Sequence, residues 1–100
     1  MALTPQKDFR EPILLAIGQM GGSAPKPDVL RRVEELLTTP LTEDDERVLR
    51  SRDEATWRNR ASWERNAMKD HGLLKADTPG LWTLTEQGWA EFRRLAAPHP

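Results

Sequence analysis

The 100-residue sequence contains no cysteine, no tyrosine and only two histidines, His71 and His99. Without cysteine the chain can form neither disulfides nor thiolate zinc sites, and it has no cysteine nucleophile. Because His99 lies in an Ala-Ala-Pro-His-Pro tail, a histidine-based metal site is not expected, and we expect no cofactor. No apolar run approaches the roughly 18 residues that span a bilayer, and the N-terminus lacks a signal-peptide pattern. We therefore expect a cytoplasmic chain without a membrane partner.

Charge is balanced overall but unevenly distributed along the chain. Fifteen basic and sixteen acidic residues leave a net charge of −1, which by itself does not indicate a nucleic-acid partner. Residues 50–69, however, hold six basic and three acidic residues, whereas residues 34–46 hold six acids and no base. One side of the molecule is therefore expected to attract phosphate and another side to repel it.

The hydrophobic pattern predicts one mostly helical α+β domain over residues 8–96, between a flexible lead (1–7) and a short tail (97–100). A Leu-rich segment at 73–76 and a second at 81–85, joined by Asp-Thr-Pro-Gly, are typical of a two-stranded wing. Thr42 and Thr85 are expected helix N-caps. Helices are predicted over 8–20, 27–38, 42–49, 57–70 and 86–96, an extended connector over 23–27 and a loop over 50–56. This order predicts a winged helix-turn-helix with additional helices.

The helix predicted over 57–70 separates into two arcs when its residues are spaced by about 100°. The inner arc is mostly apolar, and there Arg60 and Glu64, four residues apart, are expected to form an ion pair over the core. The outer arc has three cations, two amides and a hydroxyl but no acid, which is a composition suited to base edges and phosphates. Its members are Arg58, Asn59, Ser62, Arg65, Asn66 and Lys69. The other interpretation is an ordinary solvated helix face.

Within this set Arg65 and Asn66 are the preferred candidates for base edges, while Asn59 has the alternative of holding the helix N-terminus. Arg50 and Arg52, just before the helix, are either phosphate contacts or simple loop charges. Lys75, beside the wing, is a candidate backbone contact.

Four tryptophans allow two interpretations, a cage for a flipped or methylated base or packing of a small core. Packing is preferred, because a small domain needs bulky aromatics to fill its core, and Trp57 is the least certain member of that core.

Residues 57–92 carry a specific pattern: Asn-Arg-Ala-Ser-Trp in the helix, Gly-Leu-Leu after it, and Gly-Leu-Trp-Thr-Leu-Thr-Glu-Gln-Gly beyond the turn. This pattern resembles the N-terminal winged-helix domain of Mrr-type restriction endonucleases. It departs from the family at Glu64, where a small apolar residue is common, and at His71, where alanine is common. The matching residues are Asn59, Arg60, Trp63, Gly72, Leu73, Leu74, Gly80, Trp82, Thr85 and Gly88.

The resemblance implies a module that binds double-stranded DNA, with methylated DNA as the preferred ligand, as the target-reading part of a restriction or defence system. It also implies a nuclease domain, in a longer chain or in a partner protein. It further implies that Trp63, Trp82 and Trp89 are scaffold residues of the core. The sequence itself shows no Asp…Glu-x-Lys motif on paired strands, so we expect this chain not to be an enzyme.

Two alternatives belong to other functional classes. A protein-interaction winged helix would use the acidic stretch 34–46 or an apolar patch at Leu36, Leu37, Leu41 and Leu49. A transcription regulator would read unmodified DNA as a dimer. Binding that weakens steeply with salt would favour DNA over an apolar protein partner.

Overall fold

A computed structural model describes residues 3–49, 54–76 and 78–97, and within these ranges the chain forms five α-helices and four short strands. The helices are α1 (Arg10–Gln19), α2 (Lys26–Leu36), α3 (Glu43–Glu46), α4 (Thr56–Asp70) and α5 (Glu86–Ala96). The strands are β1 (Ser23–Pro25), β2 (Val48–Leu49), β3 (Glu54–Ala55) and β4 (Leu81–Thr83). The predicted α+β, mostly helical class is confirmed. The predicted division of the chain at residues 8 and 96 stays a prediction.

Helix α1 begins at Arg10, two residues later than predicted, but a 3-10 turn (Gln6–Phe9) continues directly into it, so the helical segment as a whole begins at Gln6. Pro12 lies in the first turn of α1, where a missing N–H removes no helical hydrogen bond. The helix ends at two glycines, Gly21 and Gly22, whose φ angles of 90° and 98° lie in the left-handed region that glycine enters without steric cost.

The segment predicted to be an extended connector is a strand, since β1 pairs antiparallel with β4, with Ala24 opposite Trp82. The two predicted wing strands meet less extensively than expected. They are joined by a bridge between Leu74 and Leu84 and by two hydrogen bonds, from the Lys75 N–H to the Thr83 carbonyl at 2.9 Å and from the Thr85 N–H to the Leu73 carbonyl at 3.1 Å. The result is a winged-helix-like arrangement in which β1 supports the wing from the inner side.

A close approach of backbone to backbone locks α5 onto the end of α4. Thr85 is the N-cap of α5, as predicted, and its hydroxyl accepts a hydrogen bond from the Gly88 N–H at 3.0 Å. A Cβ at Gly88 would lie 2.1 Å from the Leu73 carbonyl oxygen, so only glycine fits there. The Thr-x-x-Gly spacing therefore sets both the cap and the packing of α5.

The core is built from one face of α1, α2 and α4 together with the wing. Trp57 at the start of α4 is 2% exposed and stacks on Phe9, with ring centroids 6.1 Å apart. Trp82 of β4 is also buried, and Trp89 of α5 packs against the core from outside. Trp57, the least certain core candidate in the sequence, is thus one of the largest fully buried side chains.

The predicted ion pair between Arg60 and Glu64 is wrong. Glu64 is 3% exposed, and its carboxylate accepts hydrogen bonds from Arg10 of α1 and, at 3.1 Å, from the Gln6 side chain. Arg60 instead donates from Nε to the Thr4 carbonyl oxygen at 3.0 Å. A carboxylate on a helix can pair with a residue four positions away or with a residue of another element. Here Arg10 of α1 reaches the buried side of α4, where Glu64 lies.

A second buried carboxylate, Asp45 of α3, ties the N-terminal segment to the middle of the chain. Its oxygens accept hydrogen bonds from the Thr4 N–H at 2.8 Å, the Thr4 hydroxyl at 2.7 Å and the Thr42 N–H at 3.0 Å. The Asp45 N–H donates back to the Thr42 hydroxyl, which completes a capping box and makes Thr42 the N-cap, as predicted. Burial raises the pKa of Asp45, but the hydrogen bonds outweigh it and hold that pKa below its ordinary value.

We expect Asp45→Asn to lower the free energy of unfolding by about 1–2 kcal/mol near neutral pH, because a charge-assisted acceptor is lost. The Asp45 pKa is lower in the folded than in the unfolded chain. Its contribution is therefore complete above about pH 4 and disappears as the pH falls through the folded value. The difference between wild type and variant, measured by urea unfolding, should narrow below about pH 4. Glu43→Gln, on the exposed side of the same helix, is the control. A difference that is unchanged at low pH would contradict this account.

Candidate nucleic-acid interface

Helix α4 has one buried and one solvent-facing side. Its buried residues are Trp57, Ala61, Glu64 and Met68, spaced by four, three and four positions. Of the outer-arc residues predicted from the sequence, Asn66 is exposed and the others are half-buried along the flanks of the helix. Because the buried side holds an ion pair and a tryptophan, α4 cannot rotate without exposing both. The residues that it presents to solvent are therefore set by the core.

The predicted position of Trp63 in the core is wrong: its side chain is 53% exposed. At about 100° per residue, Trp63 lies about 120° from Trp57 and outside the buried arc, on the side of Asn59 and Asp70. The sequence pattern placed it inside because aromatic residues usually fill small cores. Trp57 and Trp82 already occupy that space.

Arg65 lies at the junction between α4 and the wing. Its guanidinium carbon is 5.7 Å from the centre of the Trp82 ring, and one of its terminal nitrogens donates to the Asn66 side-chain oxygen at 3.3 Å. Its Nε is buried and has no hydrogen-bond partner among the described residues. Burial lowers the pKa of Arg65, which nevertheless stays charged at neutral pH. This cation is held in place by the wing and retains unused hydrogen-bond donors.

The N-terminal half of α4 carries three further candidates. The guanidinium of Arg58 lies 5.2 Å from the centre of the Trp57 ring, and the Ser62 hydroxyl donates to the Arg58 carbonyl at 3.0 Å. Because the Ser62 hydrogen is used within the helix, that hydroxyl can offer only its lone pairs to a ligand. The N-cap of α4 is Ala55, and Asn59 lies one turn inside the helix. Asn59 therefore does not hold the helix start, and its amide points away from the buried side.

The remaining predicted residues lie around the helix rather than on it. Lys69 is half-buried in the last turn of α4, and Lys75 is exposed next to the wing. At the wing turn the Leu81 N–H donates to the Thr78 carbonyl at 3.1 Å, and Gly80 has a φ of 77°. Arg50 and Arg52 fall outside the described residues, in the segment between β2 and β3.

Some residues of the acidic stretch 34–46 take part in contacts within the fold. Asp45 is buried, and Asp44 pairs with Arg47 at 3.5 Å, while Glu34 and Glu35 are exposed on α2. The apolar patch proposed for a protein partner is also largely occupied, since Leu36, Leu37 and Leu41 pack against the core as half-buried side chains. The side chain of Leu49, the fourth member, lies outside the described part of the chain. These contacts leave less free surface for a protein partner than the sequence pattern indicates.

Across residues 3–49, 54–76 and 78–97 the structure forms neither a metal-ligand cluster nor a membrane-spanning helix. No group of three or more histidine, aspartate or glutamate side chains in these ranges is arranged to hold a metal ion. Within the same ranges, no helix has the length and apolar character needed to cross a bilayer.

The fold and this surface define a class: a small winged-helix-like domain with a polar, partly cationic helix face beside a wing. A comparison with protein families matches residues 7–94 to the Mrr N-terminal domain. The chain belongs to that family, as its sequence pattern predicts, and membership suggests a role in a restriction system. The matched part is the N-terminal domain and not the nuclease part. Comparisons with curated proteins and with solved structures gave no match.

The two tryptophans of α4 should respond very differently to truncation. We expect Trp57→Ala to lower the free energy of unfolding by about 3–5 kcal/mol, because it leaves a large cavity against Phe9. Trp63→Ala should change that free energy by less than about 1 kcal/mol, because half of its surface already faces solvent. Urea unfolding followed by far-ultraviolet circular dichroism measures both. Equal losses of unfolding free energy in the two variants would contradict the observed orientation of α4, in which Trp57 is buried and Trp63 is exposed.

Proposed function

We propose that this chain binds double-stranded DNA, with α4 in the major groove and the wing near the sugar–phosphate backbone. The observation that carries the proposal is the outward side of α4, where amides, a hydroxyl and cations surround a helix fixed from below by buried side chains. A helix of 15 residues is about 22 Å long and about 10–12 Å in diameter, and the major groove is about 12 Å wide. The helix thus has the dimensions of a recognition helix.

The contacts divide by chemistry. Asn66 and Asn59 present amides, which pair with the N6 and N7 atoms of adenine. Arg58 and Lys69, on the flank of α4, are suited to phosphate oxygens, and Ser62 can accept a hydrogen bond from a base. Arg65 keeps its proposed role at a base edge, but it is stacked on Trp82 and can reach DNA only on the side of α4 nearest the wing.

We propose that three further cations contact the phosphates of the DNA backbone. Lys75 is exposed beside the wing, where a duplex seated on α4 would bring its phosphates. Arg50 and Arg52 precede α4 in the sequence, and we retain them as phosphate contacts on that ground alone.

Family membership supports a more specific role, the target-reading part of a restriction or defence system, with methylated DNA as the preferred ligand. In that role the module recruits a nuclease domain, either elsewhere in a longer chain or on a partner protein. It supplies DNA affinity and selectivity and no catalytic group of its own.

Fluorescence anisotropy tests DNA binding with one duplex in three forms: unmodified, cytosine-methylated and adenine-methylated. We expect affinity that falls steeply between low and near-physiological salt, because bound cations release counterions from DNA. Selectivity for one methylated form would support the modification-reading role. Equal binding of all three forms would remove that role but leave a DNA-binding module. Absence of binding at low salt would overturn the proposal and favour a protein partner.

The double variant Arg58→Ala, Lys69→Ala should weaken binding at least tenfold and reduce the slope of log affinity against log salt by about two, because two phosphate contacts are lost. The matched control is Arg93→Ala, Arg94→Ala, which removes the same charge from α5. Its exposed Arg94–Glu91 pair should contribute little to stability. Equal effects of the two double variants would show that only net charge matters and would count against α4 as the recognition helix.

A further inference from the structure

Trp63 is a tryptophan of α4 whose side chain is 53% exposed to solvent. Among the described residues its ring takes part in no aromatic stacking and no cation–π contact, although Phe9, Trp57, Trp82, Trp89 and Phe92 all do. The other exposed large apolar side chains of the described chain, Leu3, Met20, Val48 and Leu81, lie on other elements. Burying an indole removes a large apolar surface from water, which is favourable in free energy. The exposed part of the Trp63 ring leaves that free energy available for binding a ligand.

Position places this indole within the proposed recognition surface. Asn59 is four residues before Trp63 and Asn66 is three residues after it, so both are its neighbours on the helix surface, with Cβ atoms about 5–6 Å apart. Helical side chains lean toward the N-terminus, which directs the indole toward Asn59. The outward side of α4 therefore presents an apolar ring between two amides.

The major groove offers one apolar feature that such a ring can contact, the C5-methyl group of a pyrimidine. Thymine carries this methyl, and so does 5-methylcytosine. An amide that pairs with N6 and N7 of adenine leaves the methyl group of the partner thymine free, so Asn and Trp side chains one turn apart can contact the same or adjacent base pairs. A cage for a flipped base is not formed by the described residues, because Trp57 and Trp82 are buried and Trp89 packs against the core.

We propose that Trp63 is a specificity-determining residue of this domain, whose indole packs against the C5-methyl group of a pyrimidine in the major groove. This inference rests on the proposed function, since it requires α4 to lie in that groove. It assigns preference for a methyl group to one side chain, with the flanking amides reading the polar edge of the same or the adjacent base pair.

The test uses random-sequence 20-base-pair duplex pools that differ only in pyrimidine methyl groups. One pool is ordinary DNA, one has deoxyuridine in place of thymidine, and one has 5-methyldeoxycytidine in place of deoxycytidine. We expect wild type to bind about three- to fivefold more weakly without the thymine methyl, or more tightly by a similar factor with the cytosine methyl. The pool whose affinity differs from that of ordinary DNA shows whether the methyl group is that of thymine or that of 5-methylcytosine.

Trp63→Ala should bind all three pools with affinities equal within about 1.5-fold, because it has lost the apolar contact. Met20→Ala, which removes an exposed apolar side chain from the end of α1, should retain the wild-type differences. Retention of methyl dependence in Trp63→Ala, or its absence in wild type, would overturn the inference. Salt-sensitive binding would persist in either case, and the proposed function would stand. No binding of any pool at low salt would overturn both.

A second measurement follows the exposure of the indole by fluorescence quenching. Trp57 and Trp82 are buried and Trp89 is half-buried against the core, so iodide quenching of the wild-type fluorescence reports on Trp63 together with a smaller contribution from Trp89. Saturating DNA should protect this fluorescence from iodide, with Trp63→Phe as the spectral control. Unchanged quenching in the DNA complex would overturn the inference. Protection that grows with protein concentration in the absence of DNA would assign Trp63 to contact between two copies of the chain and would also overturn it.

Discussion

The arrangement of this domain depends on the neutralisation of one buried carboxylate, Glu64, in the middle of α4. An ionised group with 3% exposure must have a partner, and Arg10 supplies it from α1 with help from Gln6. Removing Arg10 would leave this buried carboxylate without its charged partner, so the pair defines how α1 and α4 meet. It also draws the N-terminal segment across α4, where Arg60 holds the Thr4 carbonyl.

That constraint extends to the surface. With Glu64 directed inward, Trp57, Ala61 and Met68 complete the buried side, and the amides of Asn59 and Asn66 face outward. A helix rotated by a third of a turn would bury Trp63 and expose Glu64, which would produce a different outer surface from the same residues. The buried ion pair thus selects which side chains a ligand meets. Arg10 also contacts His71 at 3.0 Å, which links the same network to the end of α4.

The wing is attached to this helix by a different kind of contact. Arg65 of α4 lies over Trp82 of β4, and Thr85 and Gly88 fix α5 against the residues that follow α4. Helix and wing are therefore held as one surface, which is the requirement for contacting a groove and its flanking backbone together. Membership in the Mrr N-terminal domain family places this surface in the context of restriction, and the methyl-contact hypothesis gives its exposed indole a specific task.

Local chemistry allowed much to be predicted from the sequence alone. Thr42 and Thr85 cap helices, glycines end α1 and α4, and hydrophobic spacing locates the helices to within a few residues, because each of these depends on neighbours along the chain. The family was also evident from residues 57–92. The DNA-contact residues remain a prediction. Tertiary structure alone decided the pairing of Glu64 with Arg10, the pairing of β1 with β4 and the exposure of Trp63. These features join residues more than 50 positions apart or depend on which of four tryptophans fills the core, and a helical wheel contains neither kind of information.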